Sequence, residues 1–471
     1  MSDDLASATA LELSQMIRTK RVSPVEVVTA ALVRLERLEP SLNAFVTVTP
    51  DLALEGARRA EATLMAGGDL PPLLGLPVSV KDLIAVKDVR ATFGSRTLAR
   101  AVAGFDAPVV ERLRASGACI VGKTTTSEFG CKAVGDSPLT GITRNPWHLG
   151  KTPGGSSCGA AASVAAGVTP FALGTDGGGS IRIPAALTGL FGIKAQFGRV
   201  PVFPTSATPT LAHVAPIARS VRDAAWLLMS IAGFDGRDPA AVAEPIPDFL
   251  GACDAPVDGM RIAWSETLGY ALPTAEVSGL TRSAVEVFER LGCRVEPISH
   301  VMDDPIDIWM SEFYAGAGTR LRRALIETRD LLDPAVAEIL ERALEQSLEN
   351  YYAMVFKRYE FRETMRSLFQ RYDLLVSPTL PVAAFDVGRN CPPELPDRGL
   401  ISWVSYTYPF NLTGQPAASI PCGLTTGGLP VGLQLVARVN REVDIFRAAA
   451  AFEAARPFPR LAESALSGER A

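Results

Sequence analysis

Two glycine- and serine-rich segments carry the most chemical promise in this chain. The first runs Pro153-Gly154-Gly155-Ser156-Ser157-Cys158-Gly159, and the second Thr175-Asp176-Gly177-Gly178-Gly179-Ser180-Ile181-Arg182. A lone lysine, Lys81, closes an earlier apolar run and is followed by Asp82. Consecutive glycines let backbone N–H groups turn the same way and approach a ligand closely. Three of them leading into Ser180 would set amide donors beside its hydroxyl. That arrangement is an oxyanion hole joined to its own nucleophile. The hydroxyl still needs a base. Only 3 histidines occur, His148, His213 and His300, so lysine is the substitute at hand. To work as a neutral base Lys81 must fall from a pKa of about 10.4 toward about 7, a cost of roughly 4–5 kcal/mol. Burial and nearby hydrogen bonds have to supply it.

Two other motifs compete. Gly117-Ala-Cys-Ile-Val-Gly122-Lys123-Thr124 satisfies the phosphate-loop pattern G-x-x-x-x-G-K-[ST]. That loop needs a flexible backbone whose N–H groups wrap a phosphate. Here Ala, Cys, Ile and Val between the glycines form an apolar run that reads as a strand, and Thr124-Thr125-Thr126 starts a helix poorly. Both features argue against a nucleoside-triphosphatase site over 117–124. Gly155-Ser156-Ser157-Cys158-Gly159 satisfies the nucleophile-elbow pattern G-x-S-x-G, with Ser157 central and a helix expected after it. An α/β-hydrolase esterase of that kind also needs a later acid and then a late histidine. His213 and His300 both lie far from the C-terminus, and no His-Gly-Gly segment precedes the serine.

These groups need a scaffold. The first 65 residues read as helical: Ser23-Pro24-Val25-Glu26 is a capping box with proline at the first helical position, and Val27, Val28, Ala31, Leu32 and Leu35 follow at helical spacing. From Leu73 short apolar runs alternate with helical stretches. Strands are expected over 76–80, 118–121 and 171–173, and helices over 109–115 and 160–166. The alternation predicts an α/β fold, a sheet with helices on both faces. Residues 302–372 are charged, aromatic and poor in glycine, with Trp309, Phe313, Tyr314, Tyr351, Tyr352, Phe356, Tyr359 and Phe361. They read as a helical insertion, either packing or walling a substrate entrance. Strand-like texture resumes at 373–376 and 417–421. No composition-marked linker or repeat divides the 471 residues, so one large domain is expected.

Composition narrows the function classes. A net charge of −5 argues against a nucleic-acid partner. The 7 cysteines are scattered without CxxC pairs, which signals neither a disulfide framework nor a zinc site. No apolar run is long enough to span a bilayer, so no membrane association is expected. The acidic N-terminus lacks a secretory pattern. The expectation is a cytoplasmic protein of a reducing compartment.

The motifs together resemble the amidase signature family. The resemblance rests on Gly-Leu-Pro-Val-Ser-Val-Lys81-Asp82, Pro-Gly-Gly-Ser156-Ser157-x-Gly and Asp176-x-Gly-Gly-Ser180-Ile-Arg182-x-Pro184. It extends to Gly192-Ile-Lys194, Gly198-Arg199-Val200-Pro201, Asn411-Leu-Thr-Gly-Gln-Pro416 and Gly428-Leu-Pro-x-Gly-x-Gln434, and covers roughly residues 8 to 455. It implies one large α/β/α sandwich around a mixed sheet. It also implies hydrolysis or transfer at an acyl carbon by a Ser–cis-Ser–Lys triad. By motif position Ser180 is the nucleophile, Ser156 the bridging serine after a cis Gly155–Ser156 peptide, and Lys81 the base. The oxyanion would rest on the amides of Gly177, Gly178, Gly179 and Ser180. Asp176 and Arg182 would hold the nucleophile loop by a charge pair, Ser157 would fix the bridging turn, and Thr175 would bond locally. No metal or organic cofactor is implied. One position departs from the family: Cys158 stands where glycine is usual, which the turn tolerates unless it needs φ > 0. No base is evident that would make Cys158 a second nucleophile.

The resemblance gives a reaction and leaves the substrate open. Family members act on aryl, fatty and peptide amides, malonamide-like compounds, ureas and carbamates. One class is the A-type component of glutamyl-tRNA amidotransferase, which makes ammonia from glutamine. Val202-Phe203-Pro204-Thr205 and the aromatic insertion point to an apolar acyl or aryl pocket. The expected partner is therefore a small hydrophobic or aryl amide or carbamate (urethane), and the alternative is the glutamine-hydrolysing amidotransferase component. A homodimer is a family-level expectation only.

Overall fold

The computed structural model describes residues 2–395 and 400–461. Eleven strands form one mixed sheet: β1 (Phe45–Val48), β2 (Pro77–Lys81), β3 (Cys119–Thr124), β4 (Phe171–Asp176), β5 (Phe191–Lys194), β6 (His213–Ala218), β7 (Arg261–Trp264), β8 (Arg294–Pro297), β9 (Leu374–Pro378), β10 (Ala417–Leu424) and β11 (Pro430–Ala437). Their order across the sheet is β1-β3-β2-β4-β6-β5-β10-β11-β9-β7-β8. β2 runs parallel to both β3 and β4. The hairpin β10–β11 is antiparallel and inserts between β5 and β9.

Both faces of the sheet are covered, and the alternation of side chains shows it. In β4, Phe171 and Leu173 join one large core while Ala172 joins a second cluster beside Ala160, Ala161 and Ala185. In β6, Val214 and Ala218 face the first core and Ala215 and Ile217 the second. Period-2 strands buried on both sides need helices on both sides. On one face lie the helices 108–115, 221–231, 275–290 and 442–455, which place Val110, Leu227, Phe288 and Phe446 in the large core. On the other lie two short helices, α1 (Cys158–Ala165) and α2 (Arg182–Thr188). These two follow the two serine segments and set their positions. α2 presses close to the sheet: a Cβ on Gly192 would stand 2.7 Å from the Ala185 Cβ, and one on Gly432 2.6 Å from the Ala186 Cβ.

Most local expectations match, and three change. The capping box forms, with Glu26 N–H donating to Ser23 Oγ at 3.0 Å and Ser23 N–H to Glu26 Oε2 at 2.7 Å. The N-terminal region is not all helix, however. Asn43 ends one helix in the left-handed conformation (φ 49°), and Phe45-Val-Thr-Val then pairs antiparallel with β3 at the sheet edge. β3 also runs past 121 through Gly122, Lys123 and Thr124. Lys123 is buried and bonded to Asp82 at 2.8 Å, so the phosphate-loop pattern is a strand with its lysine already paired. The third change concerns the insertion. Its helices are α3 (Ile306–Glu327), α4 (Pro334–Ala343) and α5 (Leu348–Arg371). Trp309, Phe313, Tyr314 and Phe361 are buried, whereas Tyr352, Phe356 and Tyr359 point outward. Among the described residues no helix is long and apolar enough to cross a membrane.

The seating of α1 gives a stability test. A Cβ on Gly159 would lie 2.1 Å from Ala44 O and 2.4 Å from Thr125 Oγ1. Overpacking of this kind costs about 1–3 kcal/mol. Gly159→Ala is expected to lower unfolding stability in urea by that amount, whereas Gly279→Ala, on an open helix face, leaves it unchanged or raised.

Candidate active site

Lys81 ends β2 with its side chain wholly buried. Its Nζ lies 2.7 Å from Ser156 Oγ, 3.0 Å from Ser157 Oγ and 2.8 Å from Thr175 Oγ1. Three hydroxyls surround it, and among the described residues no carboxylate bonds it. Burial pushes Lys81 down to about 7, against the opposing pull of Cys158 and Asp176. The next residue shows why sequence adjacency misleads here. Asp82, in the turn after β2, faces elsewhere, toward Lys123 and the Thr92 backbone N–H, which donates to it at 3.0 Å.

The Gly155–Ser156 peptide is cis. Ser157 is spent on structure. Its hydroxyl donates to Thr175 O at 3.1 Å and accepts from Thr175 N–H at 3.2 Å. That pins the turn holding Ser156 and Ser157 to β4. No histidine bonds Ser157 among the described residues. His213 Nδ1 faces Leu211 O at 2.7 Å, His148 Nδ1 accepts from Gly150 N–H, and His300 lies near Asp303 at the surface. The nucleophile-elbow pattern therefore lacks its base. Cys158 opens α1 with no positive φ, so the departure from glycine is absorbed. Burial pushes its thiol up.

The loop from Asp176 to Ser180 is held carbonyl by carbonyl. Asp176 O accepts from Asn411 Nδ2 at 3.1 Å. Gly177 O accepts from Trp309 Nε1 at 2.8 Å, and Gly178 O from Thr407 Oγ1 at 2.7 Å. Gly179 O accepts from Ile183 N–H at 2.7 Å, and Ser180 O from Ser157 N–H at 3.2 Å. The amides divide differently from the four-donor expectation. Gly179 N–H donates to Asp176 Oδ1 at 2.7 Å, so it is not open to a ligand. The buried carboxylate has claimed it. Gly177, Gly178 and Ser180 are left, since their N–H groups donate to no protein acceptor among the described residues.

Asp176 and Arg182 are both fully buried. Arg182 Nε and Nη2 each donate to Asp176 at 3.0 Å. Burial alone would raise the carboxyl, but the Arg182 charge and hydrogen bonds hold it well below the usual range. Arg182 also donates to Gln434 Oε1 and Thr407 O at 2.8 Å and to Asn411 Oδ1 at 2.6 Å. Asn411 and Gln434 stand in segments that the sequence marks without a role. Thr407 carries no sequence signal.

Ser180 is half-buried, and its hydroxyl makes no hydrogen bond among the described residues. The Lys81–Ser156 link is made, and a Ser156–Ser180 link is not. Gly130 backs Ser156, since a Cβ there would lie 3.3 Å from Ser156 Oγ. Over the glycines sit two rings of α3. Trp309 and Phe313 stack with centroids 4.4 Å apart and planes 20° apart. A Cβ on Gly177 would meet Phe313 at 2.9 Å and one on Gly178 would meet Trp309 at 2.6 Å. The helices of 302–372 thus reach the loop that carries Ser180. Phe203 does not: its ring packs on Phe105, with the Arg237 guanidinium 5.5 Å from its centre. Among the described residues no group of three or more His, Cys, Asp or Glu side chains could hold a metal ion.

Comparison with known proteins agrees in one direction. The family model described as Amidase matches residues 26–446. The chain is 35% identical over 456 residues to an acylamidase of Rhodococcus erythropolis, covering 95% of each. It is 37% identical over 458 residues to the A-type component of the glutamyl-tRNA(Gln) amidotransferase of Methylococcus capsulatus, covering 91% of this chain and 93% of that one. Among solved structures, a bacterial aryl acylamidase described as an amidase signature enzyme superposes with a TM-score of 0.90 at 32% identity, covering 98% of both chains. A 6-aminohexanoate cyclic dimer hydrolase superposes with a TM-score of 0.88 at 26% identity, covering 96% of this chain and 97% of that one.

The buried ion pair makes a direct prediction. Arg182→Met strands a desolvated carboxylate, which costs about 3–5 kcal/mol. Pairing it with Asp176→Asn should recover part of that loss. Equal stabilities of the single and double variants in chemical denaturation would contradict the assignment.

Proposed function

The chain belongs to the amidase signature family of amide hydrolases, and on that footing we propose that it cleaves the C–N bond of a small hydrophobic amide, an aryl amide such as an anilide, or an aryl carbamate. The observation that carries the reading is a buried lysine, pushed down to about 7 so that a large share of it is neutral near pH 7, bonded to the serine that follows the cis peptide. Ser180 is the nucleophile, Ser156 the bridge and Lys81 the base. The Ser180 hydroxyl has no partner among the described residues that competes for it, and catalytic hydrogen bonds commonly tighten only with substrate bound.

Neutral Lys81 accepts the Ser156 proton, and Ser156 accepts that of Ser180 as its Oγ bonds the carbonyl carbon. The C=O electron pair moves onto oxygen, where the amides of Gly177, Gly178 and Ser180 receive the charge. Such preorganised donors supply a few kcal/mol each. The Lys81 proton returns through Ser156 to the departing nitrogen as the C–N bond breaks. Water then attacks the acyl-Ser180 (from a carbamate, the alkoxy- or aryloxycarbonyl-Ser180) by the same relay, the ester bond to Ser180 Oγ breaks as that oxygen regains its proton, and the acid (from a carbamate, the carbonic half-ester) leaves.

The Trp309–Phe313 stack over the nucleophile loop supports an apolar substrate. Likeness to the A-type amidotransferase components keeps glutamine as the second reading. Glutamine would require a cation for its α-carboxylate. The insertion's buried Arg358 is instead spent on Glu312 at 2.5 Å, on Thr210 Oγ1 at 2.7 Å and on Leu412 O at 2.8 Å.

Amine release from an anilide, an aliphatic amide, an aryl carbamate, an ester and glutamine tests the proposal. The anilide or carbamate should lead. Ser180→Ala should abolish turnover by at least about 10³-fold, and Lys81→Ala should reduce it by about 10²–10⁴-fold. Because the neutral amine is the active form, kcat/KM should climb as pH rises through about 7 and then level. A flat profile from about pH 5.5 to about pH 9 would remove Lys81 as the base, and turnover surviving in Ser180→Ala would move the nucleophile.

A further inference from the structure

A peptide unit is planar and trans, so its C=O and the following N–H point in opposite directions. Fixing one fixes the other. In the nucleophile loop this rule separates two neighbouring peptides. Gly178 O is held by Thr407 Oγ1, and the Gly179 N–H opposite it is taken by Asp176. That unit is clamped at both ends. The unit before it is clamped at one end only: Gly177 O accepts from Trp309 Nε1 at 2.8 Å, and the Gly178 N–H is open. Gly177 and Gly178 carry no Cβ to restrict their torsions, so without that bond the peptide can rotate its carbonyl toward the site.

We infer that the Trp309 indole N–H is a positioning residue of the reaction: by holding the Gly177 carbonyl it aims the Gly178 N–H at the oxyanion. The inference rests on the serine-nucleophile reading above. Trp309 belongs to helix α3 of the insertion, not to strand β2 that ends in Lys81 or to the loop from β4 to α2 that holds Ser180. It is 1% exposed, held between Phe313 at 4.4 Å and Tyr408 at 6.1 Å, with Tyr314 edge-on at 5.4 Å. Three neighbouring rings thus lock the donor in place. Its ring and its N–H have separable jobs, one as wall and one as anchor. A wall changes how well substrate binds. An anchor of an oxyanion donor changes only the barrier, since the donor works mainly on charge that develops in the transition state.

Trp309→Phe keeps an aromatic ring and removes the donor. The benzothiophene isostere of tryptophan, incorporated at the same position, keeps shape as well, and so covers the case in which the phenylalanine variant folds badly. For either, kcat on an anilide should fall about 10- to 100-fold, with KM within about threefold of wild type. Affinity for an arylboronic acid, which forms a tetrahedral adduct on serine, should weaken by the same factor as kcat/KM. A loss carried by KM alone, a kcat drop under about threefold, or undiminished boronate affinity would overturn the inference. If the wild type neither turns over any amide nor forms the boronate adduct, the nucleophile reading itself fails and takes the inference with it. Loss confined to the variants separates the two results.

Discussion

The Asp176–Arg182 pair is the constraint on which the rest of the site depends. Two opposite charges are buried with no access to water. Desolvation on that scale is recovered only if nearly every lone pair and proton finds a partner. The fold meets the demand by drawing in Asn411, Gln434, the Thr407 carbonyl and the amides of Gly179 and Ile181. Satisfying the ions therefore fixes the turn that carries Ser180. Stability and preorganisation here have one physical origin: the loop is rigid because a buried carboxylate sits at its base.

Three buried lysines show how environment divides one residue type into separate roles. Lys123 faces Asp82 and forms an ion pair. Lys194 faces the carbonyl of Gln415, with His213 at 3.4 Å, and burial drives it well below its ordinary value. Lys81 faces hydroxyls alone. A carboxylate at hydrogen-bond distance from Lys81 would favour its charged form. The turn after β2, which points Asp82 away from Lys81 and toward Lys123, keeps the two buried lysines in different surroundings.

Lys81, Ser156, Ser157, Asp176, Ser180 and Arg182 are legible in the sequence because they stand in short contiguous motifs whose residue types have few other uses together. The two-sided sheet is legible from apolar runs of strand length. Direction is not. A row of glycines tells that the backbone can turn, but not which way each N–H points. Gly179 is lost to Asp176 for a reason that lies in a side chain three residues earlier. Thr407 and Trp309 reach the loop only through long-range packing, which leaves no local pattern. Strand β1 is hidden because four residues between two helices give too short a period to read. Phe203 misleads because apolar character near a site in sequence does not fix the face to which a ring turns.

The strand order gives the chain a calendar. Among the described strands β10 and β11 come latest in the chain, yet they lie in the middle of the sheet and join its two halves. Until they arrive, β5 and β9 are open edges, and Arg182 lacks Asn411 and Gln434. Pairings between such distant segments form late because loop closure must come first. The turn that carries Ser180 therefore gains its final shape only when Asn411 and Gln434 have both joined the fold. A chain cut short of Asn411 still contains Lys81, Ser156 and Ser180, and lacks the partners that set the geometry of that turn.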